Sequence, residues 1–159
     1  MSAVRHCSAP VRGRGARLLA AAALVAAGLI PATGAGPAQA AVCGTGVTGV
    51  NVIVDLTAFG KGVKKACATG DPTSGLVALT GAGFSYSFVP RLPGFVCRIN
   101  ANPNPCNGAP ANAYWSYWHA AKGGAWTYST KGASSYNPAP GSTEGWSFGA
   151  GTAPSVKAP

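Results

Sequence analysis

The residues with the most chemical character cluster late in the chain. Residues 114–148 hold Tyr114, Trp115, Tyr117, Trp118, Trp126, Tyr128, Tyr136, Trp146 and Phe148, including all four tryptophans. Aromatic rings offer large, rigid, stackable surfaces. The block Tyr-Trp-Ser-Tyr-Trp-His at 114–119 is the most unusual part. On a strand it puts Tyr114, Ser116 and Trp118 on one face and Trp115, Tyr117 and His119 on the other. One aromatic face can pack on a core, and the second needs a cover or a ligand. Two readings follow. The first is a stacking platform for a flat ligand such as a sugar ring, a corrinoid or a nucleobase, with Trp115, Tyr117, Trp118 and Trp126 as the contact residues. The second is core packing, in which large rings fill a glycine-rich domain to native density.

Catalytic residues are scarce by comparison. Downstream of residue 40 the acids are Asp55, Asp71 and Glu144, and His119 is the one histidine. Asp71 reads as a helix cap, and Asp55 falls at a strand end. No G-x-S-x-G motif, phosphate-binding loop or dinucleotide fingerprint is present. A lone histidine without spare cysteines does not make a zinc site, and no C-x-x-C pair exists. We therefore expect a protein that binds rather than catalyses, with no metal and no resident cofactor.

The N-terminus reads as targeting information. Arg5, Arg12, Arg14 and Arg17 precede the apolar run Leu18–Ile30, and Ala38-Gln39-Ala40 follows. That order matches a secretory signal peptide over residues 1–40, cleaved after Ala40. The formal net charge of +9 then falls, because residues 41–159 carry eight lysines and arginines against three acids, a net of +5. Outside the cell, no nucleic-acid partner is expected. The remaining bias favours anionic surfaces, and Lys61, Lys64 and Lys65 form a small basic cluster near the first hairpin. No later apolar run is long enough for a membrane anchor, so a secreted, extracellular product is expected.

Removing Cys7 with the signal leaves Cys43, Cys67, Cys97 and Cys106. An even count in a small secreted chain reads as two disulfides. Three pairings are possible. The short Pro- and Asn-rich stretch between Cys97 and Cys106 favours a local Cys97–Cys106 bridge, which leaves Cys43–Cys67.

The elements that must position these residues are mainly strands. Val50, Val52, Val54 and Leu56 alternate in a half-buried strand, and Val63–Ala68 returns from the Gly60-Lys61-Gly62 turn. Asp71-Pro72 suggests the start of a helix of about ten residues through Leu79. Strands follow at 84–88, 95–99, 114–119, 126–130 and 143–148, and 151–159 reads as a flexible tail. The class is α+β: a roll in which one short helix crosses a mixed sheet with added hairpins, stapled by disulfides, over residues 41–150.

Several segments in this order also resemble a known group. They are Val52-Ile53-Val54-Asp55, Leu76–Phe84, Gly94–Asn100, Tyr114-Trp115-Ser116-Tyr117-Trp118 and Gly141–Phe148. The chain resembles secreted actinobacterial proteins whose domain is similar to the C-terminal domain of transcobalamin and intrinsic factor. The resemblance implies a β-grasp-like fold and a corrinoid as one candidate ligand. The helical barrel that completes the corrinoid cage in transcobalamins has no counterpart in this sequence. An extracellular structural module docking on a protein or cell-wall polymer is the alternative reading.

Overall fold

The computed structural model describes residues 42–159. The expected signal peptide and its cleavage site lie outside the described residues.

Seven strands and one α-helix form the domain: β1 (Gly49–Asp55), β2 (Val63–Thr69), α1 (Gly75–Gly81), β3 (Tyr86–Val89), β4 (Leu92–Ile99), β5 (Tyr114–Ala120), β6 (Thr127–Tyr128) and β7 (Thr143–Gly149). Five strands make a mixed sheet in the order β2-β1-β7-β5-β6, and β3 and β4 form a separate hairpin. β1 pairs antiparallel with β2 and parallel with β7, so the first and last strands lie side by side at the centre. A hairpin, a helix laid across the sheet, and a final strand inserted beside the first give the expected β-grasp-like α+β arrangement.

Val50, Val52 and Val54 of β1 alternate onto the face that meets α1, where they join Ala66, Ala68, Leu76, Leu79, Trp115, Tyr117 and Trp146. Every residue of β1 is buried, so its other face is covered as well. There Ile53 sits opposite Gly145 in the register. A Cβ on Gly145 would fall 2.7 Å from Trp126 Cζ3 and 2.9 Å from Pro154 Cγ, so the indole and the C-terminal segment lie directly on this outer face.

Two expectations about the elements need correction. The helix starts at Gly75 with Ser74 as N-cap, whose Oγ accepts from Val77 N at 3.2 Å. Asp71 and Pro72 precede it in the connecting turn. The start is set from afar: Gly75 N donates to Tyr136 O and Leu76 N to Ala133 O, so a distant loop satisfies the free N–H groups of the first turn. The last residues are also not a loose tail. Trp126 Nε1 donates to Val156 O at 2.7 Å, Gly123 N to Pro159 O at 2.8 Å, and Ser155 N to Asp55 Oδ2 at 2.7 Å. Pro154 and Ala158 are buried. The segment is a strap across the outer face.

Asp55 is the anchor of that strap. Burial would raise its pKa, but hydrogen bonds from Ser155 and Thr57 outweigh it and hold the carboxyl below the ordinary value of 3.8. A depressed carboxylate contributes stability that is present above its unfolded pKa and lost as pH falls through the folded one. Truncation after Gly151 is expected to cost about 3 kcal/mol, from uncovering Trp126 and losing three hydrogen bonds. It should also move acid unfolding to higher pH. Denaturant titration of the truncated chain checks this, and an unchanged midpoint would mean the strap contributes nothing.

Both disulfides have the expected pairing, Cys43–Cys67 and Cys97–Cys106. Among the described residues, no helix is long and apolar enough to cross a membrane.

Candidate ligand-binding site

β5 divides the aromatic block as its alternation requires. Trp115 and Tyr117 turn inward and are 5% and 7% exposed. Trp115 Nε1 donates to Asn102 O at 2.9 Å, and its ring meets Phe148 edge-on with centroids 5.5 Å apart. Tyr117 lies 4.8 Å from the Trp146 ring, its opposite number on β7. Trp118 turns outward, meets Tyr128 edge-on at 5.1 Å and donates from Nε1 to Ser116 Oγ. Trp126 lies on the outer face under the strap.

The four residues expected to form one contact surface are therefore not together. Trp115 and Tyr117 belong to the inner face, and Trp118 and Trp126 to the outer. Alternation along β5 shows that two faces are aromatic, but it does not say which one the helix covers.

What the structure does assemble is an aromatic cleft of about 310 Å3 beside β5. Trp115, Tyr117 and Trp146 line it from the buried side. Phe95 of β4, Tyr114 of β5 and Tyr128 of β6 line it with accessible rings, and residues 129–133 close it. Phe95 is 47% exposed and Tyr128 is 45% exposed, so neither ring is needed in the core. Phe95 and Tyr114 are 6.5 Å apart, and the Tyr114 and Tyr128 hydroxyls share a 3.3 Å hydrogen bond. That bond, with burial adding to it, holds the Tyr128 phenol above its ordinary pKa.

β6 is only two residues long, and this shortness leaves room for the cleft. Ser129 N donates to Tyr117 O at 2.9 Å, after which the chain departs from β5. Phe95 was legible as a strand residue, but nothing in its alternation marks it as exposed. Tyr128 was visible as one of the clustered aromatics on the expected strand 126–130, and Lys131, which also lines the cleft, only as part of a loop.

Two titratable groups sit on the inner face nearby. His119 stacks on Tyr136 at 4.4 Å, and burial lowers its pKa. Glu144 lies opposite His119 in the β5–β7 register and is completely buried. Neither Glu144 carboxyl oxygen has a hydrogen-bond partner among the described residues, and burial pushes its pKa up to about 8. Glu144 thus sits within the core of the sheet, where burial favours its neutral form. Among the described residues, no three His, Cys, Asp or Glu side chains are grouped to hold a metal ion.

Comparison with known proteins adds one likeness. Over residues 107–159 the chain is similar to the SCO2322-like domain. The SCO2322-like segment begins in the loop before β5 and runs through β6, β7 and the strap, so it carries all four tryptophans. β1, β2, α1 and the β3–β4 hairpin lie outside it. No curated protein matches the chain. No solved structure matches it either.

Proposed function

We propose that this chain is a secreted, non-catalytic binding module that takes a flat ligand ring into the aromatic cleft beside β5. The observation that carries the proposal is the half-exposed pair Phe95 and Tyr128, standing over a buried aromatic floor. Each ring touches a neighbouring aromatic, Phe95 on Tyr114 and Tyr128 edge-on to Trp118, and leaves much of its surface open to a ligand. Two disulfides fit an oxidising compartment outside the cell.

A volume of about 310 Å3 lies at the small end of ligand pockets, which span about 300–1,000 Å3. It suits one sugar or nucleobase ring. A corrinoid, the ligand the transcobalamin resemblance implies, is far larger and would enter only by an edge.

Calorimetric titration with chitooligosaccharide, adenosine and cyanocobalamin tests the reading. One of the three is expected to bind. The double variant Phe95→Ala/Tyr128→Ala should weaken that binding by about tenfold or more, since one stacked ring is worth about 1–3 kcal/mol. Its melting temperature should stay near that of the wild type, because both side chains are accessible. No heat with any probe, or an unchanged affinity in the double variant, would overturn the assignment. Trp115→Ala is no substitute as a probe, since removing a buried tryptophan costs about 3–5 kcal/mol of folding energy.

A further inference from the structure

A second cavity, of about 360 Å3, has a different character. Lys61, Lys64 and Lys65 line it, with Asn100 and Asn102, over an apolar floor that includes Phe84. Three segments of chain meet there: the β1–β2 hairpin, the exit of α1, and the turn after β4. We propose that this cleft binds a phosphate group carried on a small ester or a lipid headgroup.

The charges in the cleft meet no acid within it. Asp55, the nearest acid in sequence to the hairpin, already accepts from Thr57 and Ser155. Lysines near a helix C-terminus often cap its free carbonyls. Here those carbonyls are taken by backbone: Ala82 N bonds Ala78 O, Gly83 N bonds Thr80 O, and Phe84 N bonds Leu79 O. Lys61 keeps one donor on Asn102, and the remaining ammonium N–H groups of the cluster are offered to something outside the chain.

The turn after β4 is built at some cost. Asn100 and Ala101 both hold left-handed backbone, with φ of 46° and 61°. Asparagine tolerates this region, whereas an alanine there costs about 1–2 kcal/mol. Strain of this kind collects at ligand sites. It brings Asn102 into reach of Lys61, whose Nζ donates to Asn102 Oδ1 at 2.8 Å across 41 residues of sequence. Asn102 is itself buried and fixed by Nδ2 bonds to the Ile99 and Asn100 carbonyls. Asn100 Oδ1 is occupied by Ser85 N at 2.9 Å, which leaves the Asn100 amide NH2 as a donor at the cleft.

The donor set selects the anion. Lysine is a compact point charge suited to a compact, multiply charged group, whereas a planar carboxylate is matched by the arginine fork. No arginine lines the cleft. The apolar floor at Phe84 and Leu56 gives the rest of an ester something to lie on.

The test records backbone amide shifts of the full protein on titration with inorganic phosphate and with glycerol phosphate. Sedimentation with phosphatidylglycerol vesicles, against phosphatidylcholine vesicles, forms a separate arm. Shifts confined to residues of this cleft are expected, at physiological salt. Lys64→Gln/Lys65→Gln should lower the affinity by about tenfold or more, and Lys122→Gln/Lys157→Gln, with the same change in net charge, by less than about twofold. The exposed single variant Lys65→Glu serves if the double variant folds poorly. Binding to anionic vesicles without binding to free esters identifies the lipid headgroup as the source of the phosphate. Shifts spread over all the lysines, or equal loss in both double variants, would overturn the proposal. So would wild-type binding by a Lys64→Gln/Lys65→Gln protein that self-associates. In that case the lysines only guard β2, which is an edge strand.

Discussion

Glu144→Gln is expected to stabilise the protein by about 4 kcal/mol at pH 8 and by less than about 1 kcal/mol at pH 5. The carboxyl is fully buried in β7, between β1 and β5, and lacks a partner for either oxygen among the described residues. Burial raises its pKa from 4.5 to about 8. A raised carboxyl pKa means that the folded state holds a proton that the unfolded state has released. Between about pH 4.5 and 8 the wild type should therefore lose stability as pH rises, with a slope near 1.4 kcal/mol per pH unit. Glutamine resembles the protonated form and has nothing to release, so its stability curve should be flat across that window. Urea unfolding at pH 5, 6.5 and 8 measures both slopes. A wild-type curve as flat as the variant's would show that Glu144 is ionised in the fold and paired.

Gly75→Ala is expected to destabilise the domain by about 2 kcal/mol, although alanine is the better helix former. A Cβ at this position would meet the Tyr117 hydroxyl and stand 2.6 Å from Cζ and 3.0 Å from Cε2 of the same ring. Neither partner has room to retreat. Gly75 N is bonded to Tyr136 O, and Tyr117 is packed against Trp146 and Tyr136. The Tyr117 hydroxyl is buried with no hydrogen-bond partner among the described residues. Tyr117→Phe should accordingly be neutral or stabilising by up to about 1 kcal/mol. In the double variant the phenylalanine should recover part of the loss, and only part, because the ring carbons still crowd the new methyl. A double-mutant cycle measured by denaturant gives the coupling, expected to exceed about 1 kcal/mol. Strict additivity would mean that the helix start shifts instead of pressing on Tyr117.

Features fixed by neighbours in sequence were the legible ones. The valine alternation of β1 marks a strand because period two is a local property. The Cys97–Cys106 bridge follows from the short loop between the two residues. Features fixed by distant partners were not legible. Asp71-Pro72 is a sound local start signal, yet the helix begins at Gly75 because the carbonyls of Ala133 and Tyr136 are what its first N–H groups meet. Residues 152–159 look loose because they are short and poor in large apolar side chains. Their anchors, Asp55 and Trp126, lie 100 and 30 residues away from their partners in the strap. The candidate site was half legible for the same reason. Trp115 and Tyr117 line the cleft, but the rim that makes it a cleft comes from Phe95 on another sheet.

The parallel pairing of β1 with β7 has a consequence for how the chain must be made. Asn51 lies beside Thr143, and Asp55 waits for Ser155, so the middle of the sheet joins the two ends of the domain. Loops of that length close late and slowly. A chain made from its N-terminus stays open at the centre of the sheet until its last strand arrives. The two disulfides span only 24 and 9 residues, so each can close within a local segment before the sheet exists. Synthesis order and oxidation thus fit one sequence of events, in which the covalent staples come first and the final strand locks the domain.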